Sequence, residues 1–343
     1  MEPPQGESRR RAALRRGLAL TSLLFFLGTG AFVADSPIPG NDSQQITTRV
    51  PRDLPRLPLR IGKGPLILTG GWELQSENSE FGGFSALHAM GGGRLLALSD
   101  AAILAGFTMT ARGRAENSFI APLPVRKGEP NTKRDQDSES LTHDPVSGRY
   151  WAGFEHRHRI RRYAPGFARA EATGKPAAMQ GWPKNGGAEA LVLLRDGRFL
   201  VFAESRSIRP GVTVGLIFRD DPAEPGARAA AFAYQPPKGY RITDAAQLPD
   251  GRVIALHRRF KYVEGVSAKI ALIDTATVQP GALVRPRVIA TLRPPLPVDN
   301  MEGIAVDREG DRTIVWVISD DNYISLQRSL LLKFEFSEPA SSR

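Results

Sequence analysis

The chain contains no cysteine. Disulfides and thiol chemistry are therefore excluded, although an exported protein need not carry disulfides, so the compartment stays open. Beyond one N-terminal stretch there is no long apolar run and no segment with strong helical periodicity. A Gly-x-Ser-x-Gly nucleophile elbow is absent, which argues against a serine hydrolase of the α/β type. The five histidines lack metal-site spacing such as His-Glu-x-x-His. Gly91-Gly92-Gly93 follows no phosphate-loop pattern and is read as a turn, and no RNP-like aromatic motif points to nucleic acid.

What is present is turn chemistry and positive charge. Thirty-four Gly and 27 Pro favour a turn-rich β protein. Net charge is +10, which suits an anionic partner but is also common for a solvated surface. Arg9, Arg10, Arg11, Arg15 and Arg16 precede an uncharged run over 17–34. A basic segment followed by an apolar one is an export signal or, uncleaved, a membrane anchor. Either places the remainder outside the cytoplasm, in the periplasm or anchored to the inner membrane facing it. Residues 35–64 are polar and proline-rich and are expected to be a linker that folds little by itself, ahead of a domain over 65–337 and a short tail.

The domain repeats itself. Five copies of one motif begin near Ser85, Glu139, Glu189, Asp244 and Glu302, at intervals of 54, 50, 55 and 58 residues. Each opens with a small or acidic residue in an apolar run. A Gly-containing turn follows, then a β-type run such as Arg94–Leu98, Arg198–Ala203 or Thr313–Ile318. The period fits a four-stranded blade and argues against a sandwich. The expected fold is an all-β propeller of five blades, or six if a degraded one is hidden. Pro65–Thr69 and Ser329–Phe336 are the candidates to close the ring within one blade.

Aligned copy by copy, two positions emerge. The first reads Ser85, Glu139, Glu189, Asp244, Glu302, and the second reads Asp100, Glu155, Glu204, Arg258, Asp320. Equivalent positions in a ring converge on its channel. Carboxylates so close raise one another's pKa unless a cation neutralises them, and several oxygen donors suit Ca²⁺. The metal ligands expected are Glu139, Glu189, Asp244 and Asp321, with second oxygens from Asp137 and Asp299. An equally open reading makes the acids structural, bonded to turn backbone or to arginines of the next blade. His257, beside Arg258 at a blade end, is a candidate to face the site, whereas His156-Arg157-His158 is expected to decorate an exposed strand end.

Asp299–Phe334 (DNMEGIAVDREGDRTIVWVISDDNYISLQRSLLLKF) closely resembles the C-terminal signature of the phytase-like family, named for the esterase-like activity of phytase. Phe81–Ser85, Leu98–Asp100, Asp137–Leu141 and Leu248–Phe260 match its other landmarks. The resemblance implies a β-propeller exported by a Gram-negative bacterium and hydrolysis of phosphate or carboxylic esters. Positions in matching motifs are Glu139, Glu302, Asp320, Asp321, Asn322 and Arg328. Together with the aligned positions this gives Glu302, Asp320 and Arg328 as expected catalytic residues and Arg258, His257 and Asn322 as expected substrate contacts. Two functions follow. One is a Ca²⁺-dependent hydrolase of an anionic small-molecule ester. The other is a non-catalytic periplasmic module for ligand binding or scaffolding. A monomer is expected, with no nucleic acid, and with membrane contact only through an uncleaved N-terminus.

Overall fold

The computed structural model describes residues 41–129 and 132–338, so the expected export or anchor segment at 1–34 lies outside the described residues. Asn41–Arg259 together with 266–338 form one compact body. Phe260–Gly265, a hairpin turn carrying an exposed Lys261–Glu264 ion pair at 2.7 Å, groups apart from it.

The compact body is a five-bladed β-propeller built of five sheets, antiparallel but for one short parallel pair. The chain starts with β1 (Thr47–Arg49), β2 (Leu59–Arg60) and β3 (Leu66–Gln75). Blade one is β4 (Phe84–Ala89), β5 (Arg94–Ser99), β6 (Ile103–Met109) and β7 (Ala115–Pro122). Blade two is β8 (Ser138–His143), β9 (Tyr150–Phe154), β10 (Arg159–Tyr163) and β11 (Ala170–Gly174). Blade three is β12 (Ala188–Leu193), β13 (Phe199–Arg209), β14 (Val212–Phe218) and β15 (Ala229–Tyr234). Blade four is β16 (Arg241–Gln247), β17 (Val253–Lys261), β18 (Gly265–Ile273) and β20 (Arg287–Leu292), with the short β19 (Leu283–Val284) paired instead to β15. Blade five takes β21 (Asn300–Glu309), β22 (Arg312–Asp320) and β23 (Leu330–Phe336) from the chain's end and β3 from its start.

That shared blade closes the ring as the sequence predicts. Leu66 pairs with Phe336 and Glu73 with Leu330 along an antiparallel ladder. β1 and β2 both pair with β3, so part of the proline-rich 35–64 segment is built into blade five. The innermost strands pack in a circle, β4 on β8, β8 on β12, β12 on β16, β16 on β21 and β21 on β4.

Each sheet is covered on both faces by its neighbours, so its strands read as continuous apolar runs instead of alternating ones. FLVFA in β13 is buried at every position. Five apolar clusters result, one at each blade interface. Leu256, Ile270 and Leu292 of blade four meet Leu68, Val317 and Phe334 of blade five, and Leu87 and Phe107 of blade one meet Trp316 and Leu331 of blade five. The repeated turn glycines Gly93, Gly148, Gly197, Gly251 and Gly310 all have φ between 60° and 92°. A side chain is strained there, which is why the motif always carries Gly at that point.

Candidate metal and substrate site

Every inner hairpin breaks register at one residue. The unpaired residue is Ser85, Glu139, Glu189, Thr243 or Glu302 in blades one to five. A bulge releases a residue from the ladder and re-aims its side chain. This explains how an acid can interrupt an apolar run. The register corrects the expected alignment in blade four, where the bulged residue is Thr243, one before Asp244. A signal for this was in the sequence, since the bulge precedes the turn glycine by eight residues in four blades when Thr243 is used.

The second position holds in all five blades. Ser99, Phe154, Ala203, His257 and Ser319 are the last residues paired before the bulge, and Asp100, Glu155, Glu204, Arg258 and Asp320 follow them directly. These two sets face one end of the channel, and their charges act on one another around the ring. Burial, then Asp137, Glu155, Asp100 and Glu302, push the Glu139 carboxyl well above the usual carboxylate range. Burial and then Glu204, Glu139 and Glu155 do the same to Glu189. Asp320 is raised by burial, Glu302 and Asp100. Glu155 is pushed up to about 7 by burial and Asp137. Glu302 reaches about 7 through burial, although Arg258 opposes the shift.

The mouth is electrostatically divided. On one side blade four supplies two arginines. Arg258 Nε lies 2.8 Å from Glu302 Oε1, its Nη2 donates to Glu204 Oε1 at 3.3 Å, and its Nη1 donates to Asn300 Oδ1 at 3.4 Å. Arg241, paired with Arg258 in the β16–β17 ladder, donates through Nη1 to Glu204 Oε2 at 3.0 Å. Asn300 Nδ2 donates in turn to Asp320 Oδ2 at 3.1 Å. On the other side Asp137, Glu139, Glu155 and Glu189 make no ion pair with Lys or Arg among the described residues, and His156 Nδ1 stands 2.5 Å from Asp137 Oδ2. A set of close carboxylates without a Lys or Arg ion pair fits a bound dication, and the oxygen donors of Glu139, Glu155 and Glu189 suit Ca²⁺.

The other expected site residues lie in different surroundings. Asp244 is 1% exposed, and its carboxylate accepts from the N–H groups of Ile304 at 2.8 Å, Ala245 at 2.8 Å and Leu87 at 3.4 Å. Asp321 accepts from Gly83 N–H at 3.0 Å, Tyr323 N–H at 3.1 Å and the Ser329 hydroxyl at 2.8 Å, tying blade five to blade one. Asn322 sits in the same turn at φ 49°, donating its N–H to Asp320 Oδ1 at 2.5 Å and its side-chain amide to Gln327 at 2.8 Å. His257 is fully buried between blades three and four, with Nε2 2.6 Å from the Tyr234 hydroxyl and Nδ1 3.3 Å from Lys269 O. Burial lowers its pKa to about 4. Arg328 donates to both oxygens of Asp53 at 2.9 and 3.2 Å and clamps the N-terminal segment onto blade five.

The structure thus gathers Glu139, Glu189, Glu302, Asp320 and Arg258 at one mouth. Arg241 and His156 join them there, though the sequence alignment gives neither a role. Arg241 escapes notice because it precedes the bulge, outside both aligned columns. His156 belongs there because Glu155 N–H bonds to Asp137 O at 2.8 Å, which sets Asp137 opposite the Glu155–His156 step.

No curated protein shows significant similarity to the chain. The solved structures that resemble it do so at low identity. The holo PQQ domain of pyranose dehydrogenase from Coprinopsis cinerea is 10% identical, with 82% of this chain and 98% of that one covered at a TM-score of 0.43. A luciferin-regenerating enzyme is 11% identical, with 84% and 94% covered at a TM-score of 0.41. Kuenenia stuttgartiensis hydrazine synthase is 12% identical over 72% of this chain at a TM-score of 0.35, and the match spans only 59% of that longer chain. The sequence profile of the phytase-like family, esterase-like activity of phytase, matches residues 79–323, the greater part of the propeller, and the chain belongs to that family.

Proposed function

We propose that this protein is an exported hydrolase of phosphate or other anionic esters, with its site at the acidic mouth of the propeller. The observation that carries this reading is the division of that mouth into an arginine side and a carboxylate side that makes no ion pair with Lys or Arg among the described residues. Arg258 and Arg241 keep 31% and 63% of their side-chain surface exposed while held by Glu204 and Glu302. Their guanidinium groups can take the anionic oxygens of a phosphoryl or carboxyl group. Glu139 and Glu189, with Glu155 beside them, would hold a Ca²⁺ ion. That ion, when bound, polarises the ester and lowers the pKa of a water. Glu302, with its carboxyl near neutrality, can hold or release a proton beside the bound anion. Asp320, fixed by Asn300 and itself raised by burial and Glu302, can share that proton.

A second reading, a non-catalytic ligand-binding or scaffold module, draws on the same ion pairs, since Glu204–Arg258–Glu302 also links blades three, four and five as a structural element. One experiment separates the two. The chain is stripped of metal with chelator, and release of phosphate and of p-nitrophenol from model esters is measured with and without Ca²⁺. Turnover restored by Ca²⁺ and lost in a folded Glu302→Gln variant supports the hydrolase. No turnover in either state, with a melting temperature indifferent to Ca²⁺, sinks it.

A further inference from the structure

We propose that Asp137, Glu155 and His156 form a binding site for a transition-metal dication, Zn²⁺ or Mn²⁺ in kind, at the rim of the channel. One ligand atom from each of the three lies within 4.8 Å of the others. Donors that share one ion at bonds of about 2.1 Å stand roughly 3–3.5 Å apart, so an ion would enter as the 2.5 Å contact between His156 Nδ1 and Asp137 Oδ2 opens. Its supports are rigid. Glu155 N–H bonds to Asp137 O at 2.8 Å, His158 N–H closes the turn on Glu155 O at 2.9 Å, and the His158 ring is fixed on Trp182 O at 3.0 Å. His156 therefore projects from a held turn, with 29% of its side-chain surface exposed.

A second observation concerns the Glu155 carboxylate of the cluster. Glu189 is 6% exposed and makes no ion pair with Lys or Arg among the described residues. Its side chain instead meets the Glu155 carboxylate, the third member of the cluster. Two carboxylates can meet only across a shared proton or a positive ion. Gly187 N–H gives Glu155 Oε1 one donor at 3.2 Å.

The imidazole decides the class of ion. Ca²⁺ selects all-oxygen sets, whereas a mixed nitrogen and oxygen set suits first-row transition metals. The assignment concerns the same mouth as the hydrolytic reading, and it stands or falls on binding alone.

The test uses the full chain, stripped with chelator and dialysed against Zn²⁺, Mn²⁺ or Ca²⁺, with bound metal counted by mass spectrometry and affinity by calorimetry. One Zn²⁺ or Mn²⁺ per chain is expected. His156→Ala, at a partly exposed position that tolerates truncation, should weaken that binding by about tenfold or more while changing Ca²⁺ affinity by less than about twofold. Asp137→Asn should weaken it similarly, and Co²⁺ loading should give a visible absorption band that His156→Ala loses. Transition metals bound no tighter than Ca²⁺, or wild-type Zn²⁺ affinity in His156→Ala, overturn the assignment. Zn²⁺ binding without any ester turnover upholds it while removing the hydrolytic reading. Ca²⁺-restored turnover with no Zn²⁺ or Mn²⁺ binding does the reverse.

Discussion

Asp244 on the innermost strand of blade four accepts a hydrogen bond from the backbone N–H of Ile304 in blade five at 2.8 Å. The same oxygen takes the N–H of Leu87 in blade one at 3.4 Å, so a single carboxyl group joins three blades across the channel. The equivalent residue after the bulge is Ala86, Ser140, Ala190 or Gly303 in the other blades, which leaves room for it. At Gly303 a Cβ would come within 2.8 Å of Leu87 N. Asp244→Ala should strand buried donors and lower stability by about 3 kcal/mol or more. Asp244→Asn, which keeps one acceptor oxygen in place, should lose less than half of that. Urea denaturation of the two variants checks the order.

The architecture was legible because it rests on repeated local chemistry. Gly at a positive φ and a doubly buried apolar run must recur wherever a blade recurs, so five turn glycines give five blades. The site was legible only in part, because side-chain direction depends on register. A one-residue slip separates Thr243 at the bulge from Asp244 in the channel, and alternation sends the two in different directions. Glu189, Glu302 and Arg258 were legible because they keep the offset of their column from the turn, and Glu139 although it departs from it by one residue. Arg328 looked chemical in its motif, but its partner Asp53 lies 275 positions away, and no local pattern carries that contact. His257 failed for a similar reason, since its environment is set by Tyr234 on the outer strand of another blade.

Stability should fall as pH rises across neutrality. Glu155 and Glu302 are raised to about 7 in the fold from a value of 4.5. The unfolded chain therefore gives up these protons first, and each tenfold difference in proton affinity between the two states corresponds to about 1.4 kcal/mol. Their contribution is complete below pH 4.5 and is lost as pH climbs toward 7, with Glu139, Glu189 and Asp320 extending the loss upward. The melting temperature should drop by about 5 °C or more between pH 5 and pH 8 in chelator. Saturating divalent cation should recover most of that drop by neutralising the ionised carboxylates. A flat profile in chelator would show that the ring does not hold protons. Asp135, held down at about 2 chiefly by its hydrogen bond from Thr132, acts in the opposite sense and only below this window.

Arg258 should matter to both fold and function. Its side chain counters Glu204 and Glu302, which are 8% exposed each. Arg258→Ala should cost about 2–3 kcal/mol, since buried Glu302 then loses its arginine and Glu204 keeps only Arg241. Adding Glu204→Gln to that variant should recover part of the loss, and a double-mutant cycle reads the coupling directly. Turnover of an anionic ester should fall in Arg258→Ala mainly through a raised KM.

Arg328→Ala tests how far the family motif extends into chemistry. Its guanidinium is committed to Asp53 and Asp299 and lies partly exposed. An exposed pair of this kind is worth about 1 kcal/mol or less. The variant should melt within a few degrees of the parent and hydrolyse esters normally. Limited proteolysis should cut faster within 41–60, where the clamp no longer holds the segment. A loss of turnover with an intact fold would instead return Arg328 to the catalytic set.

Closure of the ring can be tested by where the chain is made to start. β3 is the outer strand of blade five, and Leu66 and Leu68 join Leu332 and Phe334 in the apolar cluster shared with blade four. A chain starting at Ser76 would expose the edge of β23, a seven-residue run of LLLKFEF with unpaired backbone groups. Such an edge is a template for pairing between molecules. That chain should aggregate or elute as oligomers. A start at Ile61 removes β1, β2 and the Asp53 clamp but keeps β3 whole, so it should elute as a monomer with a lowered melting temperature. If instead the two truncations behave alike, β3 is not what closes the propeller, and the stability of blade five must come from its three C-terminal strands alone.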